Sequence, residues 1–323
     1  MASILDVAIM LGKESTYGTA VTLTDAFEGK ADSYQVVREY IESTGFRAGM
    51  EAMRSDRRVD ITMGGSGSLE FDVLTTGFGF VLQAMCGSVS GPTQNDATAA
   101  YTTTATTTAA DPNDSYTVQI LRTDVSGTQQ AYTHTGGVIT GWSLSQDVGG
   151  LCVVNLDFDF QDVVTNVSAG TPAYATGVPF DWTQAKATLD SVDTDVKSMS
   201  VTADLGLNVD RRFLRQSNLK KQPIRGAVPA YSGEISMEYD GQVEYNDFIA
   251  GNIIPIIMTW TGSNIESTYD YELKVTMNAC QYTGNEPVSN LSDLPMLTLP
   301  FVALDNGTDA VMTIEYTSTD TAL

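Results

Sequence analysis

Residues 46–73 of the chain read FRAGMEAMRSDRRVDITMGGSGSLEFDV, and this stretch decides the predicted fold. It opens with a run that is rich in arginine and closes with a segment in which Leu69, Phe71 and Val73 alternate with polar residues. Side chains two residues apart in a strand point to the same face of a sheet, so the alternation predicts a strand with one buried face. The basic run predicts an arm that leads into this strand.

A second stretch of the same design covers residues 207–240 and reads LNVDRRFLRQSNLKKQPIRGAVPAYSGEISMEYD. A basic run again precedes an alternating segment, and in both places an apolar stretch and further strands follow. This repeated order predicts an internal duplication. The predicted division is a first domain at 1–165 with an arm at 46–66, a linker rich in small residues at 166–192, and a second domain at 193–323 with an arm at 207–231.

Short alternating segments separated by turn residues recur along the rest of the chain. They favour a mainly β fold of tandem β-sandwich or barrel domains, each with a long basic hairpin arm. The segment between 138 and 160 is typical of a hairpin. Apolar residues at helical spacing predict one short flanking helix per domain, over 74–87 and within 245–260. The threonine-rich segment 88–115 suits either a linker or an edge strand.

The charge balance of the chain is strongly acidic: 40 carboxylates face 17 lysines and arginines, which gives a net charge of -23. Affinity for nucleic acid comes mostly from neutralising phosphates with Lys and Arg, so bulk binding to DNA is excluded. The same acidic charge is typical of a highly soluble protein, of a channel wall that must not retain DNA, or of a protein from a halophilic host with high internal salt. No stretch of about 18 apolar residues predicts a membrane-spanning helix, and the first residues show no signal-peptide pattern.

Residues that carry chemistry are scarce. His134 is the one histidine and lies in a threonine-rich segment, so a surface position is expected, and sites that need a second histidine, including histidine-rich metal sites, are excluded. Asp157 and Asp159 are expected on the solvent face of a strand, without the turn geometry of a calcium loop. The GGSG run at 64–67 precedes a strand rather than a helix, which favours a tight turn or bulge over a phosphate cradle.

The three cysteines, at positions 86, 152 and 280, are widely spaced and odd in number. Buried free thiols are therefore expected rather than disulfides or a metal site. Acidic residues are too common for any catalytic pair to stand out, which leaves a hydrolase with two carboxylates as a third, minor hypothesis. The sequence predicts no cofactor and no metal.

Basic residues are concentrated in the two arms, with four in the first and six in the second. In a chain with 40 carboxylates, the readiest partner for such an arm is a second copy of the same chain. Arginine suits this contact because its planar guanidinium pairs with a carboxylate through two hydrogen bonds. The predicted contact residues are Arg47, Arg54, Arg57, Arg58, Arg211, Arg212, Arg215, Lys220, Lys221 and Arg225.

Several short motifs resemble those of tail tube proteins from long-tailed viruses of bacteria and archaea. Residues 11–21 read LGKESTYGTAV and are similar to the N-terminal signature of that family. Residues 137–151 read GVITGWSLSQDVGGL and resemble its strand-turn-strand, and the segments 115–118 (SYTV) and 297–301 (LTLPF) also fit. As an order of elements, the resemblance covers most of the chain.

The resemblance implies β-sandwich subunits whose inner sheets join around a ring, with rings stacked into a hollow tube that conducts genomic DNA out of the capsid. It also implies an arm that reaches neighbouring subunits. The implied partners are other copies of the chain and further tail proteins (tape measure, tail terminator and distal tail), assembled in the host cytoplasm into the virion tail. Family members often have one domain per subunit and six subunits per ring, so a two-domain chain predicts a ring of three copies rather than six.

The leading hypothesis is therefore a non-enzymatic, self-assembling viral tail tube subunit with a negatively charged channel for DNA and no membrane contact. The alternative is a surface-layer or adhesin-like β-sandwich protein that binds a host glycan or protein. Stacked rings with a central hole distinguish the first from the second, for which Trp142 or Trp182 is the expected sugar contact.

Overall fold

The computed structural model describes residues 6–45, 47–108, 110, 114–284, 286 and 294–323. The Asp-Pro-Asn-Asp sequence at 111–114 predicts a turn, and its first three residues lie outside this part of the chain, as does most of the loop before residue 294. The helices are α1 Gly79–Cys86 and α2 Val243–Ala250, with a 3-10 turn at Ser55–Arg57. The strands are β1 Ala8–Lys13, β2 Asp25–Phe27, β3 Gly29–Asp32, β4 Gln35–Glu42, β5 Arg58–Asp72, β6 Ser88–Gln94, β7 Tyr101–Thr106, β8 Tyr116–Thr123, β9 Gln129–Asp147, β10 Val153–Phe160, β11 Asp162–Val164, β12 Ala173–Tyr174, β13 Ala185–Leu189, β14 Val192–Thr194, β15 Ser198–Asp204, β16 Leu207–Asn208, β17 Ile224–Arg225, β18 Ala230–Glu238, β19 Ile254–Glu266, β20 Tyr269–Tyr282, β21 Met296–Ala303 and β22 Thr313–Ser318.

Two sheets share the long strand β9, which passes from one into the other. Its first part belongs to a small sheet of order β12-β2-β1-β8-β9-β11. Its second part, from Val138 to Asp147, pairs with β10 on one side and with β15 on the other. The main sheet thereby runs β4-β5-β10-β9-β15-β18-β21 without interruption. Beyond β21, β20 pairs with β19 along one edge and with β22 along the other.

One core cluster extends through both halves of the chain. Trp142 from the first half and Ile235 and Met258 from the second are fully buried in it. Trp260 Nε1 donates a hydrogen bond across the halves to Gln146 Oε1, at 3.1 Å. Because each fully buried large apolar side chain contributes about 1.5–3 kcal/mol, this shared core ties the halves together.

The predicted mainly β architecture is confirmed. The buried face of Leu69, Phe71 and Val73 is confirmed, as are the three buried free cysteines. Of the helix predicted over 74–87, the part from Gly79 is confirmed as α1, whereas residues 74–78 are not helical. The helix ends at Gly87 in a left-handed conformation with φ 75°. That conformation costs little for glycine, which explains why the helix ends there.

The helix predicted within 245–260 is confirmed only as far as Ala250, and the prediction is wrong for the residues that follow. Helix α2 ends at Gly251, where φ is 66°, and Ile254 already belongs to β19. Buried and half-buried residues alternate along the first part of β19, so its period is two and not 3.6. A short continuous apolar run looks alike in a helix and in a buried strand, which is why the sequence pattern misled.

The GGSG run at 64–67 lies inside β5, so the prediction of a turn or bulge there is wrong. β5 begins at Arg58, well before the predicted strand. A Cβ on Gly65 would lie 2.1 Å from the carbonyl oxygen of Gln35 and 2.5 Å from Cζ of Phe160. Glycine is needed here because the neighbouring strand and an aromatic ring approach the backbone too closely for a side chain.

His134 is buried, so the prediction of a surface position is wrong. Its ring packs against both Tyr34 and Phe160, with 4.7 Å between ring centroids in each case, and its Nδ1 is 3.3 Å from the carbonyl oxygen of Val118. The threonines beside it made the segment look polar. They are buried as well, because this part of β9 lies between β8 and β11.

The segment 166–192 contributes to the sheets. β12 pairs with β2, β13 pairs with β19, and Phe180 is fully buried. The threonine-rich segment forms β7, which lies between β6 and β22. Among the residues that the structure describes, no helix combines the length and apolarity needed to cross a membrane.

Candidate functional site

The first basic run forms the tip of a two-stranded hairpin. β4 and the first part of β5 pair antiparallel, and residues 43–57 connect them. All eight residues of β4 are exposed, and among the described strands β4 pairs with β5 alone. The hairpin therefore projects with one edge of unpaired backbone groups, which is ready to accept a further strand.

One face of this hairpin, defined here as its charged face, is held by ion pairs. The guanidinium of Arg58 lies 4.2 Å from the centre of the Tyr40 ring, a cation–π contact. Arg38 donates to Asp60 at 2.6 Å, and this contact raises the pKa of Arg38. Exposed ion pairs of this kind add little stability, so their main effect is to order the face.

The opposite face, defined here as the apolar face, carries Val37, Ile41 and Val59, with Glu39 between the first two and hydrogen-bonded to Thr62. Ile41 and Val59 pair across the two strands and are 58% and 56% exposed. Val37 lies four residues before Ile41 and thus on the same side of the strand. An exposed apolar patch on a projecting hairpin is typical of a surface that contacts another chain.

The tip of the hairpin keeps basic and apolar groups accessible. Arg47 and Arg57 make no ion pair with the described residues, whereas Arg54 pairs with Asp56 inside the tip at 2.8 Å. The tip also exposes two flexible methionines, Met50 at 40% and Met53 at 45%. All four predicted contact residues of the first arm are therefore on an accessible surface.

The second basic run does not project but folds back onto the first arm. It connects β15 to β18 and contains the two-stranded β16–β17 ribbon. Arg212 donates to the carbonyl oxygens of Met63 and Asn218, at 3.1 and 2.7 Å. The Met63 N–H donates in turn to the Asn218 carbonyl oxygen at 3.3 Å. The second arm therefore holds β5 at the point where the hairpin leaves the body.

A buried ion pair anchors this contact. Lys220 Nζ lies 2.5 Å from Asp159 Oδ1, and both side chains are less than 10% exposed. Gln161 Nε2 donates to the Lys220 carbonyl oxygen at 2.6 Å. Burial raises the pKa of Asp159, and the contact with Lys220 opposes that rise. The prediction that Asp159 faces solvent is wrong, because its partner is 61 residues away in the chain.

The other basic residues of the second arm also contact their own chain. Arg211, Arg215 and Arg225 donate to backbone carbonyl oxygens at 2.5–2.8 Å. The Lys221 ammonium lies 5.2 Å from the centre of the Phe213 ring. All six predicted contact residues of the second arm therefore make contacts within the subunit. Lys220 is the most buried of them, and Arg212 joins the two arms.

A second surface that the sequence did not reveal is the outer face of the main sheet. β9 and β15 pair over seven residues, from Ser198↔Asp147 to Asp204↔Gly141. This pairing aligns the side chains of six strands, so that one face packs on the core and the other is polar. We define the polar face of β5-β10-β9-β15-β18-β21 as the polar sheet face.

The polar sheet face is acidic. Residues 64–72 of β5, residues 138–147 of β9, and the whole of β10, β15, β18 and β21 contain no lysine or arginine. Lys30 and Lys197, outside these strands, pair with Asp72 and Glu238 at its margins. The accessible carboxylates on the polar sheet face are Glu70, Asp72, Asp147, Asp157, Asp204, Glu234 and Glu238. Asp159 lies on the same side of β10 but is buried against Lys220 of the second arm.

The described residues offer little to reaction chemistry. They contain no group of three or more His, Cys, Asp or Glu side chains placed to hold a metal ion. Burial raises the pKa of Cys86 and of Cys280 to about 12, so these thiols stay protonated and poorly nucleophilic at neutral pH. The features that stand out are the hairpin and the polar sheet face.

Residues 5–303 match the model of the family described as phage tail tube protein. No curated protein matches the chain.

Proposed function

Because the chain belongs to the phage tail tube protein family, we propose that its polar sheet face lines the channel through which the viral genome leaves the capsid. Membership of the family makes the chain a structural component of the virion tail. The observation that carries the proposal is the continuous sheet made by β9 and β15, whose polar sheet face has seven accessible carboxylates and no lysine or arginine in its strands.

The charge of this face suits a conduit rather than a binding site. DNA is held by fixed cations that neutralise its phosphates, and each such contact would slow a strand that has to slide. Carboxylates repel the phosphates and leave mobile cations to screen them. Serine and threonine occupy many of the remaining positions on the polar sheet face, and their hydroxyl groups keep the face hydrated without adding positive charge.

The strand order of the main sheet supports a ring. In the first half the order is β4-β5-β10-β9, and in the second half β15-β18-β21-β20 repeats it with antiparallel pairs throughout. A helix follows the second strand of each set, α1 after β5 and α2 after β18. This correspondence supports the duplication of domains 1–165 and 193–323.

The β9–β15 pairing then serves as the pattern for contacts between chains. It joins the last strand of the first set to the first strand of the second set. The equivalent contact at the far end of the second set pairs β4 of the next copy with the last residues of β20, Gln281 and Tyr282. β19 pairs with β20 only as far as Cys280, and the outer edge of β4 has no partner among the described strands. Three copies joined in this way close a ring of six similar sectors.

The hairpin supplies the remaining contacts in the proposal. Its apolar face and its basic tip reach neighbouring copies, and its charged face orders it before assembly. The basic residues of the second arm support these contacts from within the subunit. The family also implies contacts with other tail proteins, which the ends of the tube would make.

Electron microscopy of the purified chain tests the proposal. Stacked rings with a central hole are expected, and class averages viewed end-on should show threefold symmetry with six sectors. A chain that stays monomeric at high concentration, or tubes in which the polar sheet face points outward, would contradict it.

A further inference from the structure

A cleft of about 530 Å³ lies at the end of β5 that is opposite the hairpin. Its floor contains the rings of Phe27, Phe71 and Phe80, and its walls include the carboxylates of Asp25, Glu28 and Asp320. Phe27 and Phe80 are only partly buried, so their rings are available to a side chain that enters. A volume of this size accommodates several side chains.

The cleft also presents a polar group without a partner. The Thr76 hydroxyl oxygen is buried, and no hydrogen bond to it is found among the described residues. Tyr174, on the rim of the cleft, is 44% exposed. A buried hydroxyl without a partner costs free energy.

The hairpin tip has the complementary chemistry. Residues 43–57 contain three arginines and two carboxylates, so the tip carries a net positive charge, which is complementary to the acidic rim of the cleft. Met50 and Met53 are exposed at the same tip. Methionine is flexible enough to fill an irregular cavity, and its sulfur makes favourable contacts with aromatic rings.

The positions of the two surfaces determine what kind of contact they can make. β5 spans Arg58–Asp72, so the hairpin and the cleft are about 45 Å apart along one strand. A tip at one end cannot enter the cleft at the other end of its own strand. Between copies, complementary surfaces at opposite ends of a subunit form a head-to-tail contact, which repeats without limit when it does not close.

We propose that the cleft at Phe27, Phe71 and Phe80 receives the hairpin tip of a second copy of this chain. The inference rests on the proposed function and adds to it the surface that the arm binds. Met50 or Met53 enters between the rings, and Arg47 and Arg57 face the carboxylates of the rim. The contact links successive rings and sets the direction in which the tube grows.

Cross-linking within assembled tubes tests the contact. The variant Met53→Cys with Tyr174→Cys places one thiol at the tip and one on the rim, while the native cysteines are buried and do not compete. After oxidation, a ladder of covalent multimers is expected on a non-reducing gel. The matched control, Met53→Cys with Val125→Cys, uses a side chain that is 99% exposed in the β8–β9 turn and should give at least tenfold less multimer.

A charge exchange provides a second measurement that does not depend on thiols. Arg57→Glu alone and Glu28→Arg alone should each raise the concentration needed for tube formation by about tenfold, and the two together should restore it. Tubes that form but show neither the ladder nor the restored assembly would overturn this inference and leave the proposed function standing. A wild-type chain that never forms rings would overturn both.

Discussion

The two basic arms share one sequence design but differ in what they do for the fold. The first arm projects as a hairpin whose strand β4 is exposed along its whole length. The second arm folds back, and its Lys220 is buried against Asp159. Clustered positive charge therefore does not by itself distinguish a surface for partners from a brace within the subunit.

The difference follows from what lies beside the charges. In the first arm, Ile41 pairs with Val59, and Val36, Val37 and Ile61 add further β-branched residues to the same two strands, which favours an extended hairpin. The second arm contains Pro223 and Pro229 and lacks such alternation. Proline cannot donate to a strand ladder, so the segment finds its hydrogen bonds in irregular contacts with the body.

The largest expected effect concerns Lys220. Lys220→Ala leaves the Asp159 carboxylate buried without its ion-pair partner, and breaking a buried pair in this way costs about 3–5 kcal/mol. Unfolding in urea should show this loss in the free energy of unfolding. Lys221→Ala, at the exposed neighbouring position, is the matched control and should change it by no more than about 0.5 kcal/mol. Equal losses in the two variants would show that the second arm is not a brace.

Arg212 gives an intermediate effect. Its side chain is 29% exposed and donates to carbonyl oxygens of both arms, so Arg212→Ala should cost about 1–2 kcal/mol. Arg215 donates only to a carbonyl oxygen four residues away. Arg215→Ala should therefore be almost neutral in the same urea titration. A neutral Arg212→Ala would mean that the arms fold independently.

The first arm should respond in the opposite way. Replacing both Ile41 and Val59 by threonine keeps β propensity and changes exposed side chains, so unfolding should shift by no more than about 0.5 kcal/mol. The concentration needed for tube formation should rise at least tenfold, which corresponds to about 1.4 kcal/mol of lost contact energy. Val192→Thr, at another exposed site, should leave assembly unchanged. Sedimentation of the assembled fraction measures all three variants.

The succession of elements along the chain and the alternating core faces of its strands could be predicted from the sequence, because each depends on neighbours a few residues apart. The buried face of Leu69 and Phe71 and the helix that ends at Gly87 are examples. The Lys220–Asp159 pair and the acidic face made by β9 and β15 depend on contacts between distant segments. Local pattern carries no information about such contacts, so Asp159 and His134 were predicted at the surface.

The smallest expected effect concerns the labelling of the three cysteines, which shows whether the two halves of the chain unfold together. Cys86 and Cys152 lie in the first half and Cys280 in the second, and burial raises the pKa of each thiol. At pH 8 a thiol reagent should label none of them in the native chain and all three in one step on unfolding. The raised pKa values contribute stability below pH 9 that declines as the pH rises towards 12. Labelling of Cys280 alone before the others would show that the halves separate.

The most direct test of the central claim is a cryo-electron microscopy reconstruction of the assembled tube. We expect three copies per ring, the β4 edge of each copy paired with the next, and Asp157, Asp204 and Glu234 facing the lumen. A ring of six copies, or a lumen lined by a surface other than the polar sheet face, would contradict it.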